Sequence, residues 1–312
     1  MACHQSRART RVRGVVAFVA LRLSVGGPSL RAVCPGEAVD AVEAVAAKQH
    51  YEALCNEIAD FFTPDIYSVV TESEDKGELL GKHRQIVRRR VFFKAEPDVL
   101  RWGAMLGDVV GNLRAALDHV VYAISVSRDP EEFRDDRSTE FPITDSLDGF
   151  NRVRRRGNPP HFEIRGLPPE AQAIVKALQP HYGRDDQDRR KGDPLWLLRE
   201  LSNIDKHRSL HMTTWTALQV RWDITHLFEG TVIHSQWIRP IGVIESGAVL
   251  AEIDMSYTAY GQPSMQTDRG FTFTVSLDEA IADRTRPLPY LLGDLGEYVL
   301  GVVESLDQFV IR

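Results

Sequence analysis

The sequence predicts an α+β fold: a helical part with a small β-hairpin, an antiparallel sheet of about four strands, and a C-terminal helix. Three observations predict it. Apolar residues recur at helical spacing over long stretches of residues 38–211; the period changes to alternation within residues 212–277; helical spacing then returns over 288–311. Helices, then strands, then a helix indicate segregated elements rather than a wound parallel sheet. Residues 38–312 read as a single unit that follows an extension of residues 1–37.

The elements follow in order. Residues 38–62 carry Val39, Val42, Val45, Ala46, Leu54, Ile58, Phe61 and Phe62 at helical spacing, and Pro64 ends the run. A hairpin comes next: Asp65–Thr71 is rich in β-formers, Glu72–Gly81 reads as a polar turn region, and Arg84–Lys94 alternates through Val87, Val91 and Phe93. Residues 98–127 give the longest helical stripe, from Leu106 through Val109, Val110, Leu113, Leu117, Val120 and Val121 to Ile124. Asp129-Pro130 stops it.

Residues 128–166 read as a long connection holding Phe141-Pro142-Ile143, a basic stretch Arg152–Arg156, and Asn158-Pro159-Pro160. Loops of this length in a compact domain are often functional or mobile. Leu167–Leu178 is a short helix opened by Pro168-Pro169, and Gly183–Gly192 a charged loop. Residues 194–211 form a second strong helix through Leu195, Leu198, Leu201 and Ile204. Strands follow around Leu218–Ile224, 231–237, 248–257 and Phe271–Val275.

Composition narrows the function classes. The 312-residue chain has a net charge of −6, with 43% hydrophobic and 26% charged residues, as in an ordinary globular protein. Six arginines and no acid fall in residues 1–36, so the remainder carries −12. An acidic body does not favour broad nucleic-acid binding. Cys3, Cys34 and Cys55 make neither a disulfide framework nor a cysteine zinc site, and a reducing, cytoplasmic setting fits. The run Val15–Leu21 after four arginines is similar to a secretory signal, which would make the protein exported. Arg22 interrupts it, however, and no A-x-A site follows Val25. The preferred reading is a flexible extension or a misassigned start. That run is too short for a membrane span, and no later segment reaches the length without charges. The chain holds no G-x-G-x-x-G, Walker A, G-x-S-x-G or H-E-x-x-H motif.

Two helices carry the candidate chemistry. In the first, each residue turns about 100°, so Asp108, Asn112, Ala115, His119 and Tyr122 fall near one line opposite the apolar stripe. Gly111, Ala115 and Ala116 would admit a close neighbour. The competing reading is a solvated face with an Arg114–Asp118 pair. In the second, Glu200, His207 and His211 share a line if the helix continues. Two imidazoles and a carboxylate would then suit a divalent metal. The competing reading is a basic C-terminus in which Lys206, His207 and Arg208 complement the helix dipole. Arg88-Arg89-Arg90 reads as one wet sheet face rather than a nucleic-acid strand. Trp196, Trp215, Trp222 and Trp237 read as core or sheet residues.

The strings GDVVGNLRAALDHVVYAI, EFPI, LQPHY and PLWLLRELSNIDKHRSLH resemble a family of uncharacterised bacterial proteins over roughly residues 42–310. That resemblance implies an order of elements and no activity. A weaker resemblance is to HEPN ribonucleases, which pair an arginine and a histidine in a helical bundle. It implies Arg114 as the phosphate-stabilising group and His119 as the acid or base. Here Ala115 stands where that family commonly has a polar residue. Residues five apart on one helix also diverge by about 140°, so a homodimer would be needed to bring two copies together. Three functions therefore compete: a binding or structural module, an RNA-cleaving enzyme using Arg114 and His119 with Asp108 and Asn112 nearby, and a metal-dependent hydrolase using His207, His211 and Glu200.

Overall fold

A computed structural model describes residues 39–79, 81–134, 136, 138–152, 160–182, 192–213, 215–224, 230–258, 267–278 and 286–311. The expected extension of residues 1–37, most of the Arg152–Arg156 stretch, most of the Gly183–Gly192 loop and the Trp222 side chain lie outside the described residues.

The architecture is α+β. The helices are α1 (Val39–Phe61), α2 (Val99–Arg128), α3 (Pro130–Phe133), α4 (Leu147–Asn151), α5 (Pro169–Ala177), α6 (Pro194–His207) and α7 (Leu288–Asp307). The strands are β1 (Tyr67–Leu79), β2 (Lys82–Phe93), β3 (Thr216–Ile224), β4 (Val232–Ile238), β5 (Gly242–Val243), β6 (Val249–Tyr257) and β7 (Thr267–Thr274). No described helix is long and apolar enough to cross a membrane.

Helix α2 is the central rod. Its stripe from Leu106 to Ile124 is buried, and it shares one apolar core with Leu54 and Ile58 of α1, Leu195, Leu198 and Leu201 of α6, and Leu291, Leu295 and Val299 of α7. Asp98 begins the helix by accepting the Arg101 N–H at 3.1 Å, a side-chain cap.

The strands are divided differently from the expectation of a separate hairpin and one sheet. The hairpin joins later strands in a four-stranded antiparallel sheet of order β1-β2-β6-β4, while β5-β3-β7 form a second, three-stranded sheet. A lone hairpin is marginal in water and would leave the inner edge of β2 unpaired. β6 closes that edge in register from His83↔Tyr257 through Arg89↔Ala251.

The segment expected as a polar turn, Glu72–Gly81, is mostly strand, with a tight turn beside Gly81. Its acids extend the ladder by crossing to β2: Glu72 pairs with Arg90 at 2.7 Å and Glu74 with Arg88 at 2.8 Å. An aromatic cluster joins the sheets to the helices. Trp215 stacks on Phe93, with ring centroids 3.6 Å apart, and meets Phe61 and Phe62 at the end of α1. Trp215 is thus core, whereas Trp237 on β4 is a sheet residue 45% exposed.

Candidate functional site

Helices α2 and α6 share the apolar core, and Gly107 of α2 meets Asp205 of α6, while Gly103 meets the segment that follows α6. Glycine allows both approaches. A Cβ at Gly103 would lie 2.6 Å from the Leu210 carbonyl oxygen, and one at Gly107 would strike the Asp205 carboxylate. The small residues expected to permit this, Gly111, Ala115 and Ala116, do something else: Gly111 faces open space and Ala116 is core.

The long connection supplies the unexpected part. Residues 139–146 form a strap outside every helix and strand. Side chains satisfy its backbone instead. Asp118 accepts the Phe141 N–H at 2.9 Å, and Arg114 donates to the Phe141 carbonyl at 2.6 Å. The two also pair with each other at 2.9 Å. Together they meet Phe141 as a neighbouring strand would.

Gln179 repeats the device on the next residues. Its amide donates to the Pro142 carbonyl at 2.7 Å, and its oxygen accepts the Thr144 N–H at 3.0 Å. His181 Nδ1 donates to the Thr144 carbonyl at 3.1 Å. Arg199 of α6 then reaches Asp145 at 2.5 Å, while also holding its neighbour Glu200. Phe141, Ile143 and Thr144 are buried as a result.

A cleft of about 190 Å³ opens between strap and seam. Arg114 contributes from α2, Glu140 and its neighbours from the strap, Glu163 from the turn Pro160–Ile164, and Arg199, Ser202, Asn203 and Lys206 from α6. The arginines that line it are paired with Asp118, Asp145 and Glu200. Burial holds the Asp118 carboxyl above the usual range, against the opposing pull of Arg114 and the Phe141 N–H.

Further along the seam a more open hollow of about 460 Å³ is lined by Gly107, Asp108, Gly111, Asn112, Asp205 and Ser209, among others. Burial and the charge of Asp108 raise the Asp205 carboxyl.

The expected residues distribute as follows. Asp108 and Asn112 meet α6, but opposite Asp205 rather than Glu200, which lies five residues and about 140° away around the helix. The Asn112 amide donates to the Asp108 carbonyl of its own helix at 2.7 Å. Tyr122 donates to the Arg134 carbonyl at 2.9 Å. Arg114 lines the strap cleft, whereas His119 lines neither hollow.

The expected line of Glu200, His207 and His211 does not form. α6 ends at His207 because Arg208 is extended, at φ −164° and ψ 159°. His211 therefore has no helical relation to His207. Its Nδ1 lies 2.8 Å from Arg208 Nη1. Among the described residues no group of three or more His, Cys, Asp or Glu side chains is arranged to hold a metal ion.

Gln179, Arg199, Ser202 and Asn203 were not singled out by sequence reasoning. The strings EFPI and LQPHY contained the signal: they are the strap and the residues that tie it down.

The basic strand is a different case. Arg84 pairs with Asp254, and Arg88 with both Glu252 and Glu74, so these cations face acids across the sheet. The Arg84 guanidinium holds the Asp254 carboxyl below its usual range. No protein-family description, curated protein or solved structure matches the chain.

Proposed function

We propose that the chain is a small-molecule-binding protein whose site is the cleft between the strap and the α2–α6 seam. The observation that carries this reading is the convergence of four separate segments on one hollow, with the arginines fixed by partners that do not line it. Polar groups held before a ligand arrives lose little freedom on binding. The hollow has room for roughly a dozen waters at about 10–15 Å³ of accessible space each and opens to solvent, so it offers a recess for a small polar solute.

Neither enzymatic reading gains support. Arg114 gives hydrogen bonds to Asp118 and the Phe141 carbonyl, which makes it a brace, and His119 is not beside it in the cleft. The helix ends at His207, so His211 does not join the line of Glu200 and His207 that the hydrolase reading needs. The likeness to a bacterial family rests on its motif strings, and those strings supply the strap, its anchors and both helices of the seam.

The test is a thermal-shift screen of the full chain against small polar solutes. Wild type is expected to gain Tm with at least one solute class, while Asn203→Ala/Lys206→Ala folds and shows no such gain. A ligand at about 100 times its Kd stabilises by about 2.7 kcal/mol, well within reach of the measurement. No shift in wild type, or an equal shift in the variant, would overturn the reading.

A further inference from the structure

We infer that the chain forms a two-fold dimer in which β4 of one copy pairs antiparallel with β4 of the other, joining two four-stranded sheets into one. β4 is an outer strand of its sheet, and among the described residues no strand pairs with its free side. All seven of its residues are exposed. The apolar exposure of the molecule is concentrated here. Of the fourteen large hydrophobic side chains exposed among the described residues, six lie within residues 232–243: Val232, Ile233, Trp237, Ile238, Ile241 and Val243. Val243 belongs to β5, itself an outer strand of the second sheet. One short segment therefore edges both sheets with apolar side chains, and it lines neither hollow.

An open edge presents a row of N–H and C=O groups to another strand, and proteins ordinarily blunt it with charge, proline or a bulge. β1, the other outer strand of this sheet, carries Glu72, Glu74, Asp75 and Glu78. β4 has a bulge between Ile233 and Ser235, but no Asp, Glu, Lys, Arg or Pro. What selects a second copy as the occupant is the near-symmetry of Val-Ile-His-Ser-Gln-Trp-Ile about its centre. A two-fold axis at Ser235 sets Val232 opposite Ile238 of the second copy, Ile233 opposite Trp237, and His234 opposite Gln236. Apolar side chains then meet apolar ones, and aromatic against β-branched pairs favour a ladder. Arg239, just beyond the strand, meets Thr231 and not its own counterpart, so no like charges are opposed. A two-fold contact of this kind closes at two copies and builds no fibre.

Sedimentation velocity on the full chain tests this. Wild type is expected at twice the chain's mass. Ser235→Lys sets two ammonium groups together at the axis and Ser235→Glu two carboxylates, and each is expected to weaken the dimer by about fivefold or more, as like charges directly opposite do. Mixing the two variants is expected to restore it, because lysine then faces glutamate across the axis. Position 235 is exposed, so both variants are expected to fold, and circular dichroism checks that they do. A wild type still monomeric at about 0.1 mM, where even a micromolar dimer would be assembled, would overturn the inference. A dimer that neither substitution weakens would overturn it too, since its interface would lie elsewhere. So would a dimer weakened in both variants and not restored by mixing, since β4 would then not meet itself at Ser235.

Discussion

The strap cleft and the basic strand β2 hold similar residues and differ in what those residues meet. On β2 the guanidinium groups of Arg84, Arg88 and Arg90 each pair with a carboxylate on a neighbouring strand. In the cleft Arg114 and Arg199 are also paired, but the pairs hold a piece of irregular backbone: Asp118 accepts from Phe141, and Arg199 grips Asp145 of the strap. A run of cations is therefore no guide to a site. Where the counter-charges stand, and what else they hold, decides whether a surface is finished or left open.

The sharpest way to break this comparison is to remove the brace. Asp118→Ala takes away the acceptor for the Phe141 N–H and leaves the guanidinium of Arg114 without its carboxylate. Urea denaturation is expected to show a loss of about 1–3 kcal/mol, the cost of stranding the Phe141 N–H. A loss within the error of the measurement would mean that the strap is not held this way. Gln179→Ala comes next. It strands the buried Thr144 N–H and Pro142 carbonyl, and an expected cost of about 2 kcal/mol follows from leaving such groups unsatisfied.

Acid titration contrasts the two regions by sign. Asp118 has a folded value above the ordinary aspartate pKa of about 3.9. Its contribution to stability is complete below that ordinary value and is lost as pH rises through the folded one. Asp254 has a folded value below the ordinary one. Its contribution is present above the ordinary value and lost as pH falls through the folded one. NMR titration of the two carboxyl carbons should place them on opposite sides of about 3.9; the same side for both would contradict the contrast.

The smallest effect is expected on β2. Arg88→Ala should leave Tm close to that of wild type, because its partners Glu74 and Glu252 are 45% and 36% exposed and such pairs gain little over water. A large drop would show that the ladder supports the fold as strongly as the strap does.

Most of the fold was legible because its elements have a period. The apolar stripe of α2 reads directly as Val99–Arg128, and α1, α5 and α7 fall close to their expected bounds. Two things were hidden. The pairing of β2 with β6 joins residues about 170 positions apart, and nothing local in either strand names its partner. The strap was hidden for a different reason. Its hydrogen bonds go to Asp118, Arg114, Gln179 and His181, so it needs neither the helical nor the strand period and reads as loop. The candidate site was half legible: Arg114 and the seam face were visible, but Glu200, His207 and His211 were aligned on a helix that stops one turn early.

Native-state hydrogen exchange at Phe141 and Thr144 tests the strap most directly. Both amides lie outside every helix and strand, where exchange is ordinarily fast. Side chains of Asp118 and Gln179 accept from them, so both should exchange as slowly as amides in the core of α2, and Gln179→Ala should speed Thr144 selectively. Rapid exchange at both positions in wild type would contradict the strap, and with it the cleft.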